Sequence, residues 1–108
     1  MAAEFAMVLP AVMLVLAFAA GAVQVGAAQV RLTDAAADAA RLVGRGESES
    51  RAASRLQDAV GGAALAVSRD GLLVCVTATA SVTLGPMAGA IDLGARGCAY
   101  DDTLPATP

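Results

Sequence analysis

The sequence predicts an α+β chain: a long N-terminal helix with an apolar first half, then a second helix and a small antiparallel sheet of about three strands. Three observations point there. A single acid, Glu4, opens an uncharged stretch that runs from Phe5 to Val30. Charged residues then recur at helical spacing from Arg31 to Arg45. In the C-terminal half, apolar or alternating runs flank Asp70-Gly71, a strong short signal for a hairpin turn.

The first element is the apolar arm, residues 1–30. Phe5 to Val23 carries only apolar side chains besides Pro10 and Gly21, and a bilayer's hydrocarbon needs about twenty helical residues to cross. The arm is therefore long enough to span. An extension over residues 31–46 continues the same helix: Arg31, Asp34, Asp38, Arg41 and Arg45 form a charged stripe, with Leu32, Ala35, Ala36, Ala39 and Leu42 on the opposite face. The pattern runs unbroken from about Glu4 to Val43, roughly 60 Å at 1.5 Å per residue, before Gly44 and Gly46 interrupt it. A helix twice the membrane thickness must project from it. Pro10 lacks the N–H that would reach the Ala6 carbonyl and so should kink or loosen the first turns. Ala17 and Gly21, and likewise Ala22 and Gly26, are small residues four apart, a spacing that lets helices approach closely.

Residues 47–100 read as a small α+β head. Glu47 to Val60 is the second helix, with acids in its first turn, a Glu47–Arg51 pair and an apolar stripe of Ala52, Ala53, Leu56, Ala59 and Val60. Gly61-Gly62 ends it. The strands follow as Ala63 to Ser68, Leu72 to Val82 and about Leu93 to Tyr100, the last two joined by a loop containing Gly85-Pro86 and Gly89. In the middle strand Leu72, Val74, Val76, Ala78 and Val82 share the face that should cover the helices. Leu73, Cys75, Thr77, Thr79 and Ser81 share the other. The polar, proline-bearing segment 101–108 reads as a flexible tail, with Asp101-Asp102 a solvated end.

Composition narrows the function. Of 108 residues, 57% are hydrophobic and only 3% aromatic, which favours close packing of small side chains over a thick core. Net charge is −3, and the seven cations, all arginine, are scattered among ten acids, so no nucleic-acid footprint is expected. Histidine and lysine are absent, which removes the commonest general base and metal ligand. No activated nucleophile, metal site, phosphate loop or cofactor site can be assembled, so the chain is not expected to be an enzyme. Cys75 and Cys98 fall on the more polar strand face, where a disulfide would join the hairpin to the last strand, with two free thiols as the alternative.

Read from its residues, the arm is either a single-pass anchor or a cleaved signal peptide. Ala17 and Ala19 imitate an A-x-A cleavage site, but the segment before the apolar run is acidic. Ala2-Ala3-Glu4-Phe5-Ala6-Met7-Val8-Leu9-Pro10 followed by an apolar helix also resembles the N-terminus of TadE-like proteins, the minor pilins of tight-adherence type IV pili. In that family small residues precede Glu-Phe-Ala, a few aliphatics and a proline. The resemblance is specific over the first thirty residues or so, and the alanine-rich helix, glycine break and strand-rich tail fit the family's layout.

The resemblance implies a non-enzymatic pilus subunit, with assembly residues Glu4, Phe5, Pro10, Ala17, Gly21, Ala22 and Gly26. Its partners would be other pilin subunits, the pilus assembly platform and a prepilin peptidase, with a single membrane span before assembly and the head outside the cytoplasm. Glu4 would be held by the positive α-amino terminus of a neighbouring subunit, since an unpaired buried charge costs several kcal/mol. Prepilins are cut after a glycine with the glutamate fifth, whereas Glu4 is fourth here, so a basic leader encoded ahead of Met1 is expected. Without it the arginines would hold the C-terminus in the cytoplasm. The alternatives are a single-pass envelope protein with a protein-binding extracytoplasmic head, and a small domain secreted after signal cleavage.

Overall fold

The computed structural model describes residues 2–83 and 90–103, in the order α1 (Ala2–Gly44), α2 (Glu49–Ala59), β1 (Ala64–Asp70), β2 (Leu73–Thr83) and β3 (Ala90–Tyr100). The fold is α+β, with an antiparallel sheet ordered β1-β2-β3. The molecule is elongated, 79 × 25 × 16 Å, because α1 extends far beyond the head. The joining loop with Gly85-Pro86 and Gly89, and the tail from 104 onward, lie outside the described residues.

Helix α1 is one element of 43 residues with Pro10 inside it. Its end is chemically explicit. Gly46 adopts φ +94°, its N–H donates to the Val43 carbonyl at 3.0 Å, and the Glu47 N–H donates to Leu42 at 3.0 Å. These two bonds make a Schellman cap, which needs a left-handed residue and so selects glycine. Gly44 is still helical and has a different reason to be small: a Cβ there would lie 2.6 Å from the Tyr100 carbonyl oxygen.

The second helix begins at Glu49 and not at the expected Glu47, because Ser48 takes the N-cap and its hydroxyl accepts from the Arg51 N–H at 3.2 Å. Glu47 sits outside the helix and still meets Arg51 at 3.6 Å. Ala52 and Leu56 are the buried part of the stripe, whereas Ala59 is exposed.

The hairpin turns one residue later than expected. Asp70 pairs with Leu73, so Gly71 and Leu72 are the two central residues, and Leu72 leaves the core face to stand exposed. Gly71 has φ +61° and Leu72 has no positive φ, the pattern of a type II′ turn, which wants glycine first. The last strand starts at Ala90, ahead of the expected Leu93, because Ala90, Ile91 and Asp92 pair with Thr83, Val82 and Ser81.

The core lies between one face of the sheet and the helices. Val74, Val76, Ala78 and Ala80 of β2 face Leu32, Ala35, Ala36, Ala39, Ala40 and Val43 of α1, with Ala52 and Leu56 of α2 alongside. Alanine lets the backbones come close, and β3 exploits this most: a Cβ on Gly97 would lie 2.7 Å from the Cα of Ala37. Cys75 and Cys98 face each other across β2 and β3 and are joined by a disulfide, with Cα atoms 4.1 Å apart.

Asp101 is docked, contrary to the expected solvated end. Its N–H donates to the Leu72 carbonyl at 2.8 Å, the Asp102 N–H donates to the Gly44 carbonyl at 2.8 Å, and the Asp101 carboxylate meets Arg69 at 2.7 Å. Its side chain is only 6% exposed. The Thr103 hydroxyl and N–H both donate to the Asp101 carboxylate. Those bonds, with the Arg69 charge behind them, hold its carboxyl below the usual carboxylate range.

Candidate functional site: the exposed half of α1

The two halves of α1 live in different environments. From Leu32 to Val43 the helix is the spine of the head, while every residue from Ala2 to Ala20 is exposed. None of its most apolar 18-residue window is buried within the subunit, and the helix is long and apolar enough to cross a membrane. Phe5 is 69%, Met7 82% and Phe18 78% exposed. Covering a side chain of this size is worth about 1.5–3 kcal/mol. Left in water, a whole run of them makes a contiguous apolar surface of the kind that marks a membrane or protein contact. An exposed apolar helix of this length is compatible with a membrane span or with packing against other helices.

Glu4 lies in the first turn of α1, where a carboxylate complements the positive end of the helix dipole, worth about 0.3–1 kcal/mol. It is exposed, and Phe5 stands beside it. Pro10 takes away one backbone donor without ending the helix. That donor is the one that would reach Ala6.

The small residues do not form one face. Ala17 and Gly21 point along one row, Ala22 and Gly26 along another about 140° away, as 3.6 residues per turn dictates. Gly21 is half-buried and continues the row of Val25, Ala28 and Leu32 that faces the head. Gly26 points away, and a Cβ there would meet nothing within 4 Å. Nothing inside the subunit therefore requires glycine at 26.

Folding also assembles a group that spacing alone does not reveal. Arg41 on α1, Arg45 in the cap that follows it and Arg55 on α2 line an open cleft of about 510 Å³ together with Asp38, Tyr100 and Asp102. Arg41 lies 3.8 Å from Asp38, an exposed pair of little energetic weight. Arg41 and Arg45 are visible as an i,i+4 pair, but Arg55 joins them only through the packing of α2. With two carboxylates among three guanidinium groups, the cleft is mixed in charge and is no phosphate-backbone footprint.

Among the described residues no group of three His, Cys, Asp or Glu is placed to hold a metal ion. The chain matches no known protein-family profile, no curated protein and no solved structure.

Proposed function

We propose that the chain is a structural, non-enzymatic subunit held in a membrane by the apolar half of α1, and that it assembles through that half into a surface pilus of the tight-adherence type. The observation that carries this reading is a single unbroken helix whose first half is apolar and exposed on every side while its second half is the spine of a small head. Such a helix can move from lipid into a bundle of its own kind without refolding. The resemblance of Glu4-Phe5-Ala6 and Leu9-Pro10 to TadE-like N-termini supports the pilus over other assemblies.

In this reading Glu4 pairs with the α-amino group of a neighbouring subunit inside the bundle, and charge pairing fixes the stagger between helices. Phe5 and Pro10 shape the packing around that pair. Ala17 and Gly21, or Ala22 and Gly26, allow close approach along the helix. The head lies outside the cytoplasm, where the Cys75–Cys98 bond would persist. The assembly platform and a prepilin peptidase act on the N-terminal arm.

The test is Glu4→Ala, read by pilus assembly and by membrane insertion separately. Loss of assembly with insertion intact supports the pairing, and normal piliation refutes it. A second reading is a single-pass envelope protein whose head binds another protein, with the Arg41, Arg45 and Arg55 cleft as its contact surface. Mass spectrometry of the native N-terminus and crosslinking through α1 separate these, because an anchor is unprocessed and makes no homotypic helix contacts. A start near Ala20 would instead mark a secreted domain.

A further inference from the structure

The head reaches down to the level at which α1 would leave a bilayer. Strand β3 runs along α1 in the same direction: Gly97 lies against Ala36 and Ala37, Tyr100 against Gly44, and the Gln29 side-chain amide donates to the Gly94 carbonyl at 2.9 Å. Each strand residue thus matches a little over two helix residues, the ratio of a rise of about 3.3 Å to one of 1.5 Å. Carried down β3 from Gly97 to Ala90, about 23 Å, the same ratio reaches the level of Gly21 and Ala22. The half-burial of Gly21 and Val25 agrees with that level. The apolar stretch Phe5–Val23 is about 28 Å long, the thickness of a hydrocarbon core, so its upper boundary falls at the same height.

We propose that the lower end of the sheet, where Thr83 pairs with Ala90, rests among the lipid headgroups beside the exit point of α1, so that the subunit meets the membrane through its head as well as its helix. The proposal rests on the anchoring reading of α1. Val82, Thr83, Ala90 and Ile91 are uncharged. Charges above this end include Asp92, whose carboxylate accepts from the Ser81 hydroxyl at 2.7 Å, and Arg31 on α1.

The experiment places single cysteines in the full chain at Leu14, Ala90 and Asp70, labels each with a fluorophore without reductant so that Cys75–Cys98 stays closed, and reconstitutes the protein in phosphatidylcholine vesicles containing nitroxide lipids. Leu14 marks the middle of the span, and Asp70 the far end of the sheet, about 33 Å above Ala90. The expected result is severalfold stronger quenching at Ala90 than at Asp70, and stronger from a headgroup-proximal nitroxide than from one at the chain end, with the opposite depth order at Leu14. Quenching at Leu14 with Ala90 no more quenched than Asp70 overturns the proposal and leaves the anchor standing. An unquenched Leu14 removes the anchor and the proposal together.

Discussion

Gly97 offers the sharpest test of how the head is held to α1. Replacing it with alanine puts a methyl group 2.7 Å from the Ala37 N and Cα and 2.8 Å from the Ala36 carbonyl carbon. All three are backbone atoms, so no rotamer change relieves the clash. To restore ordinary contact the strand and helix must part by about 0.7 Å, a gap that forfeits a quarter to a half of the dispersion energy of the contacts it opens. Those contacts include the packing of Val76 and Ala78 on the alanine face of α1. Overpacking of this kind costs about 1–3 kcal/mol, which for a head of this size lowers the melting temperature by roughly 5–20 °C. Gly94→Ala on the same strand is the control. Its added Cβ meets only the Ala78 carbonyl oxygen, at 4.0 Å, and restricting the unfolded chain should gain about 0.4–1 kcal/mol. Thermal unfolding of the detergent-solubilised full chain, followed by circular dichroism, compares the two. If Gly97→Ala melts no lower than Gly94→Ala, the close approach of β3 to α1 does not hold the head.

Other outcomes follow from the same geometry. Gly26→Leu should not lower the melting temperature, since its side chain enters open space and a helix-interior glycine is itself a weak point, yet it should reduce homotypic crosslinking along α1; undiminished crosslinking would show that this row is not an interface. Thiol titration of the unreduced protein should find no free cysteine, and Cys98→Ser should cost about 3 kcal/mol for a loop of 23 residues, a loss that leaves the helix content of α1 in place. The folded-state pKa of Asp101 is depressed, so its contribution to stability is full above the unfolded carboxylate value of about 3.9 and is lost as pH falls through the lower folded value. Asp101→Asn should accordingly flatten the acid limb of the melting curve below pH 4, and an identical acid limb in the variant would show that the Thr103 and Arg69 contacts carry no linkage.

The helices were legible because their periodicity is strong: Leu32, Ala35, Ala36 and Ala39 are separated by helical steps, and all four are buried. Their ends were less so. The shift of α2 from Glu47 to Glu49 turned on Ser48, a cap residue hidden among Glu47, Glu49 and Ser50, any of which suits a first turn. Leu72 looked like a core residue by alternation, but Gly71 takes the first central place of its turn and carries Leu72 out with it. Ala90 and Asp92 have little strand character of their own, and the segment is extended because Ser81 to Thr83 pair with it. Gly97 was invisible as a contact, since in sequence a strand glycine is only a weak point and its purpose is supplied by Ala37, sixty positions away. The docking of Asp101 and the meeting of Arg55 with Arg41 and Arg45 are tertiary in the same sense.

Helix α1 passes without a break from its exposed apolar half to the spine of the head, which has a mechanical consequence. A linker would let the head tumble on its anchor, but α1 passes from exposed Ala20 to buried Leu32 within one helix, and Gln29 and Leu32 already hold β3 and the core there. The head is therefore fixed in rotation about α1. Each residue of helix turns the head by about 100°, so inserting one alanine between Val23 and Val25 would swing the sheet by that angle relative to the face that carries Ala17 and Gly21. Four inserted alanines restore the angle to within about 40° while lifting the head about 6 Å. If lateral packing of α1 and the placement of the head are coupled through this rigid spine, the one-residue insertion should disrupt assembly more than the four-residue one, although it is shorter. Equal effects, or a defect that simply grows with length, would mean that the head is free to reorient and that the continuous helix does not set its position.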